Sequence, residues 1–156
     1  DLIVPTSAAE STWTSLTDAG ATPMGLDALE ILRIRAGKPQ WPVDGTEKTL
    51  IHELRLDKEV CNFNKGCYLG QEVINRVDVK GQINKRIERI VMPPGAGHAG
   101  AAIHLEDDTA VGTISSITHG PEDSVGLAVL RKAAWDAEQL NIQTDSGPIR
   151  GTIDRS

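Results

Sequence analysis

The sequence predicts an α+β protein in which a helical region is followed by a small antiparallel β-barrel. Three observations carry that expectation. Capped segments of helical period occupy the chain before Gly81. Beyond it, short β-rich runs separated by turn residues recur about every ten residues. With 39% hydrophobic and 24% charged residues in a chain of 156, the composition is that of a protein that folds around a core.

Leu2-Ile3-Val4 before Pro5 reads as the end of a β-strand, since proline cannot donate to a ladder. A helix follows, with Ser7 as its cap, Glu10 in capping-box position, Ala9, Trp13 and Leu16 on one face, and Gly20 at its end. A second helix runs from about Leu26 to Ala36, turning Leu26, Leu29, Leu32 and Ile34 toward the core, and Gly37 and Pro39 stop it. From Trp41 to Lys65 neither period fits. Pro42, Asp44, Gly45 and Asn62-Phe63-Asn64 mark a long connection there, of a kind that often carries function. A third helix begins near Leu69 or Gly70, with Leu69, Val73 and Val77 as its apolar face. The expected strands are Arg86 to Met92, Ala101 to Leu105, Ala110 to Thr118, Val125 to Leu130, Leu140 to Thr144 and Ile149 to Ile153. Asp107-Asp108, Gly120-Pro121 and Asp145-Ser146-Gly147 supply turns, and Ala133-Ala134-Trp135 a single helical turn.

Composition removes several classes of function. Aromatic residues are 3% of the chain and the formal net charge is −6, which speaks against a base-stacking platform or a general polyanion binder, so nucleic acid is not an expected partner. No apolar run approaches the roughly 20 residues of a spanning helix, and Asp1 to Pro5 lacks the basic flank of a signal peptide, so a cytoplasmic protein without membrane contact is expected. Cys61 and Cys67 form neither a CxxC pair nor a four-thiolate zinc site. His52, His98, His104 and His119 are scattered without metal-ligand spacing, so no metal site is expected. Gly95, Gly97 and Gly100 precede no helix and make no phosphate loop.

The densest chemistry lies in Lys65-Gly66-Cys67-Tyr68-Leu69-Gly70-Gln71-Glu72, with Arg76 one turn on. A cysteine before a helix amino terminus and near a lysine meets positive potential that favours thiolate, which would make Cys67 a nucleophile; alternatively it is a small residue that packs the loop. From Lys65 to Arg89 the cations exceed the anions by three, although the whole chain is acidic. Such a patch suits the carboxylates or phosphates of a small anion, or is a solvated face of mixed charge.

Lys65 to Arg76 resembles the KGCYxGQE signature, with its following arginine, of the YgfZ-type folate-binding proteins. These are relatives of the glycine cleavage system T protein implicated in maturing or repairing iron-sulfur proteins. Gly25 to Glu30, Leu32 to Gly37, Asp44, Glu47 to Leu50 and Glu53 match the family in order, and Gly81 to Arg86 resembles the segment that leads into its barrel. The resemblance implies that this chain is the carboxy-terminal half of a longer protein, an expectation also raised by a start at Asp1 rather than Met. Residues 1–80 would then close a folate-binding domain and residues 81–156 form the family's β-barrel.

It further implies tetrahydrofolate or a folate derivative as ligand, lined by Arg35, Lys65, Gly66, Tyr68, Gly70, Gln71, Glu72 and Arg76, with Cys67 as the candidate catalytic group. Iron-sulfur apoproteins or assembly factors are the implied macromolecular partners. The expected function is a folate-binding accessory role in iron-sulfur protein maturation. The alternative is tetrahydrofolate-dependent aminomethyl transfer, and a third reading is a protein-interaction module built on the barrel. In the transferase branch a second-helix glutamate binds the pterin; the matching position here is Arg35, whose guanidinium would hold a folate carboxylate instead.

Overall fold

In the computed structural model, residues 2–81 and 83–155 are described. The chain divides into two units, Asp1–Glu30 and Ile31–Ser156.

In the first unit a 3-10 turn, Thr6–Ala8, leads into α1, Ala9–Asp18. Ser7 lies inside that turn, and the cap position falls on Ala8, which offers no side-chain acceptor. Ser15 and Thr17 of α1 bond back to their own helix, Ser15 Oγ donating to the Ser11 carbonyl at 2.8 Å and Thr17 Oγ1 to the Thr14 carbonyl at 2.9 Å. Gly20, at φ 96°, ends the helix as expected: the Ala21 N–H reaches the Leu16 carbonyl at 3.0 Å, closure through a left-handed residue that glycine adopts without a Cβ penalty. The strand expected at Leu2 to Val4 does not form. Ile3 is 98% exposed, and an extended segment without a ladder partner remains irregular.

α2, Leu26–Arg35, carries the chain into the second unit and ends at Gly37, φ 67°, with the same Schellman closure, Lys38 N–H to the Arg33 carbonyl at 3.0 Å. Its buried residue is Ile34. Leu26, Leu29 and Leu32 are exposed, contrary to the periodicity. Ile34 packs with Ile87, Val125 and Leu127, and with the partly buried Leu54 and Val129. Burying such side chains stabilises by roughly 1.5–3 kcal/mol each.

The barrel strands are β1 Lys85–Met92, β2 Ala102–His104, β3 Ala110–His119, β4 Ser124–Arg131, β5 Leu140–Ile142 and β6 Ile149–Ile153. All pairs are antiparallel, and the order β1-β4-β3-β2-β5-β6 closes on itself through β1 and β6. Closure leaves no edge to aggregate. Inside sit Ile90, Met92, Ile103, Val111, Ile114, Leu130, Leu140 and Ile142. β4 is buried at successive positions rather than alternate ones, since the interior covers one of its faces and Ile34 with Leu54 covers part of the other.

The connection between α2 and β1 is fastened to the barrel by polar contacts. It includes one short helix, α3, Asp57–Val60. Asp44 is 2% exposed and its carboxylate accepts from Arg33 Nη1 (2.7 Å), the Gln40 N–H (2.8 Å), Ser115 Oγ (2.5 Å) and Ser116 Oγ (2.7 Å). Two successive serines reach one carboxylate because the β3–β4 register shifts between Ile114 and Ser116, which interrupts the usual alternation of faces. Farther along, the Ile87 N–H donates to the Glu53 carbonyl at 2.6 Å, and Arg55 and Arg86 both pair with Glu88, 3% exposed. Each buried acid is thereby compensated.

Removing the Asp44 carboxylate takes a buried charge partner from Arg33 and an acceptor from two serine hydroxyls at once, leaving Arg33 with the Lys38 carbonyl and Ser116 Oγ and leaving Ser115 with the Leu127 carbonyl. Asp44→Ala should lower stability by about 3–5 kcal/mol, the usual result of breaking a buried pair from one side, read as a shift in the urea unfolding midpoint at unchanged slope. A loss below about 1 kcal/mol would mean that water substitutes for the carboxylate.

Candidate functional site

The signature segment enters from an Asx turn, Asn62 Oδ1 accepting from the Asn64 N–H at 2.9 Å. It then passes Lys65, whose ammonium lies 4.5 Å from the Tyr68 ring centroid, a cation–π contact. Gly70, at φ 86°, is the cap of α4, Gln71–Lys80. The left-handed turn lets Tyr68 and Gln71 bond reciprocally: the Tyr68 N–H donates to Gln71 Oε1 at 3.3 Å, and the Gln71 N–H to the Tyr68 carbonyl at 3.2 Å. Glu72 in the first turn and Lys80 in the last complement the helix dipole. The helix starts later than the sequence suggests, so Leu69 is fully exposed in the loop and Cys67 stands four residues before Gln71 rather than against the first turn. Cys67 is exposed, and Cys61 is partly buried. The Tyr68 hydroxyl is shielded from solvent and has no hydrogen-bond partner among the described residues.

Along α4, Glu72, Arg76 and Lys80 follow one another at four-residue spacing, with Val73 and Val77 beside them. Together with Leu50 from the preceding connection they line a groove of about 430 Å³, within the roughly 300–1,000 Å³ range of small-molecule sites. Valines and leucine supply apolar wall, Glu72 an acceptor, and Arg76 and Lys80 two cations. The local positive excess resolves along the same lines. Lys85 is within 3.6 Å of Glu53, Arg86 pairs with Glu88, and Arg89 lies 2.8 Å from Asp154, whereas among the described residues Arg76 and Lys80 make no ion pair.

Glu72 and Arg76 thus share the groove, while Tyr68, Gly70 and Gln71 shape the turn ahead of it and Lys65 packs on Tyr68. Gly66 precedes Cys67 in the loop, with open space where a Cβ would stand. Arg35 is not among the groove's lining residues. Its Nη2 lies 2.5 Å from Asp123 Oδ1, in the turn between β3 and β4, and its carbonyl accepts from Arg89 Nη1. The hydrogen bond to Asp123, reinforced by the charges of Asp123 and Glu122, moves the Arg35 guanidinium above its ordinary pKa, so it is a permanent cation. Leu50 and Lys80 escaped assignment from sequence. The four-residue spacing from Arg76 marks Lys80, but no local signal marks Leu50.

The structure therefore defines a class of fold, a closed six-stranded antiparallel barrel preceded by helices, with a glycine-capped helix presenting a cysteine loop and a cationic groove. No family model matches the chain. It is 32% identical over 135 residues to a chloroplastic Arabidopsis thaliana protein whose name carries transferase activity as an inference, a match covering 85% of this chain and 31% of the relative. It is 22% identical over 156 residues to an aminomethyltransferase of Herpetosiphon aurantiacus, covering 98% of this chain and 43% of the relative. An aminomethyltransferase of Prosthecochloris aestuarii is 29% identical over 126 residues, covering 78% and 34%. The crystal structure of glycine cleavage system aminomethyltransferase T from Bartonella henselae matches with a TM-score of 0.77 at 19% identity, over 96% of this chain and 43% of that one. The likeness establishes the fold. The two bacterial relatives and the structural neighbour are aminomethyltransferases, the structural neighbour that of the glycine cleavage system, and the chain spans less than half the length of each of these four proteins. Among the described residues no helix is long and apolar enough to cross a membrane.

The difference in exposure between the two thiols has a direct chemical readout. Iodoacetamide should label Cys67 severalfold faster than Cys61 in the folded protein near neutral pH, as mapped by mass spectrometry. Equal rates, with both sites labelled only on unfolding, would show that the loop is closed over Cys67.

Proposed function

We propose that this chain is part of a folate-binding accessory protein that acts in the maturation or repair of iron-sulfur proteins. In this reading residues 1–80 complete a folate-binding domain and residues 81–156 form its barrel. The single observation that supports it best is the signature loop, which presents Cys67 to solvent while the helix behind it lines a groove with Glu72 and Arg76. The groove's chemistry fits a folate. A pterin offers N–H donors to a carboxylate such as Glu72, a benzoyl ring suits the Val73–Val77 wall, and glutamate carboxylates suit Arg76 and Lys80. When bound, tetrahydrofolate supplies a carrier for one-carbon units. This chain's residues would hold its polar ends, and Cys67 would act from the adjoining loop. Lys65, Tyr68, Gly70 and Gln71 would keep that loop in shape, and Gly66 would precede the thiol in the open part of the loop. Arg35, fixed by Asp123, would meet a folate carboxylate only if that end of the ligand extends toward the β3–β4 turn.

Aminomethyl transfer is a second reading, favoured by the names of the bacterial relatives. The cysteine loop favours the first. The two part experimentally: an accessory factor restores an iron-sulfur enzyme without releasing ammonia from an aminomethylated carrier, and a transferase does release it.

Calorimetry with tetrahydrofolate tests the ligand. The longer protein of this reading, with a domain upstream of residue 1, should bind it, the 156-residue chain should bind more weakly, and Arg76→Ala in the longer protein should cost about 10- to 100-fold in affinity, the range for losing a charged hydrogen bond. Unchanged affinity in Arg76→Ala would remove the groove from the folate site. In a strain dependent on the longer protein for an iron-sulfur enzyme, Cys67→Ala should abolish rescue and Cys61→Ala should retain it. Full rescue by Cys67→Ala would withdraw the thiol from the function.

A further inference from the structure

His52 is 9% exposed, and its Nε2 is closed off from solvent without a hydrogen-bond partner among the described residues. A buried polar group left without a partner costs about 1–3 kcal/mol, and such groups are rare enough to require a reason. The reason lies in what surrounds the ring. Asp57, at the first position of α3, and Asp78, in the third turn of α4, bring carboxylate oxygens to it, and the ligand-capable atoms of the three residues all lie within 4.8 Å of one another. No other group of three or more histidine, cysteine or acidic side chains meets that condition among the described residues.

We propose that His52, Asp57 and Asp78 form a binding site for a divalent transition-metal ion. Two carboxylates balance the charge of a dication, and an imidazole nitrogen selects a borderline ion such as Zn²⁺ over Mg²⁺ or Ca²⁺, which take oxygen ligands. With metal–ligand bonds of about 2.0–2.2 Å, ligand atoms around one ion stand about 3–4 Å apart, so atoms already within 4.8 Å of one another need only a small closing movement to share an ion. Three protein ligands leave a further position for water.

The site also has a structural consequence. His52 sits two residues beyond Leu50, and Asp78 lies on the helix that carries Val73, Arg76 and Val77. An ion held between them ties the two walls of the groove together and fixes its width. This inference stands on its own geometry and does not depend on folate being the groove's ligand.

Titration of the chelator-treated chain with Zn²⁺ tests it, followed by calorimetry and repeated with Co²⁺ for its visible absorption. One Zn²⁺ per chain is expected, with Mg²⁺ failing to compete, and the ion should raise the unfolding temperature. Asp78→Asn changes an exposed residue and leaves the fold intact. It should weaken Zn²⁺ binding at least tenfold and erase the thermal shift, as should His52→Gln. Because thiols also bind Zn²⁺, the Cys61→Ser, Cys67→Ser double variant is the companion, and it should bind as the unmodified chain does. Absence of saturable binding, binding undiminished in Asp78→Asn, or binding lost with the two cysteines would each overturn the proposal.

Discussion

One buried carboxylate holds the second unit in register. Asp44 collects Arg33 from the last turn of α2, a backbone N–H from its own loop, and two serine hydroxyls from β3, so helix, connection and barrel converge on a few ångströms of space. Its energetic role is conditional. A buried ion pair seldom stabilises more than a well-packed apolar cluster of the same size would, but once built it leaves every partner stranded if one is removed. Such a cluster specifies an arrangement more than it deepens a minimum. Only one placement of α2 brings Arg33 to Asp44, Ile34 into the apolar hollow between β1 and β4, and Arg35 to Asp123 together.

That arrangement determines what the connection can present. With Asp44, Glu53 and Arg55 each fastened to the barrel, the turns between residues 50 and 57 become fixed ground. Leu50 can then face α4 across a groove, and His52 and Asp57 can face Asp78. The glycine at position 70 has the complementary task. Its left-handed backbone turns the chain from the cysteine loop into the helix, with Cys67 outside and the Glu72, Arg76 and Lys80 row on the groove. Loop chemistry and groove chemistry are thus separate but rigidly joined.

The relatives share this scaffold at low sequence identity. What is preserved at that distance is the barrel with its helical approach, an architecture that many ligand sites can be built upon. On this scaffold the chain places a thiol in an exposed loop, Arg35 against Asp123, and Glu72, Arg76 and Lys80 along the groove.

The sequence by itself determined the class of fold, the six strands, the glycine-terminated helices and the segment that concentrates the chemistry. These follow from backbone preferences and hydrophobic period, which act over a few residues. Leu2 to Val4 shows where such reasoning ends, since β-propensity is expressed only with a partner strand. Leu26, Leu29 and Leu32 show it again, for helical period names a face but not whether that face is covered. Tertiary structure alone decided that Asp44 is the buried hub, that Arg35 pairs with Asp123, that Lys85 and Arg89 of the basic patch meet Glu53 and Asp154, and that His52 meets two aspartates. Each is a meeting of residues distant in the chain, and charges and hydrogen bonds depend on separation in space, which no local pattern encodes.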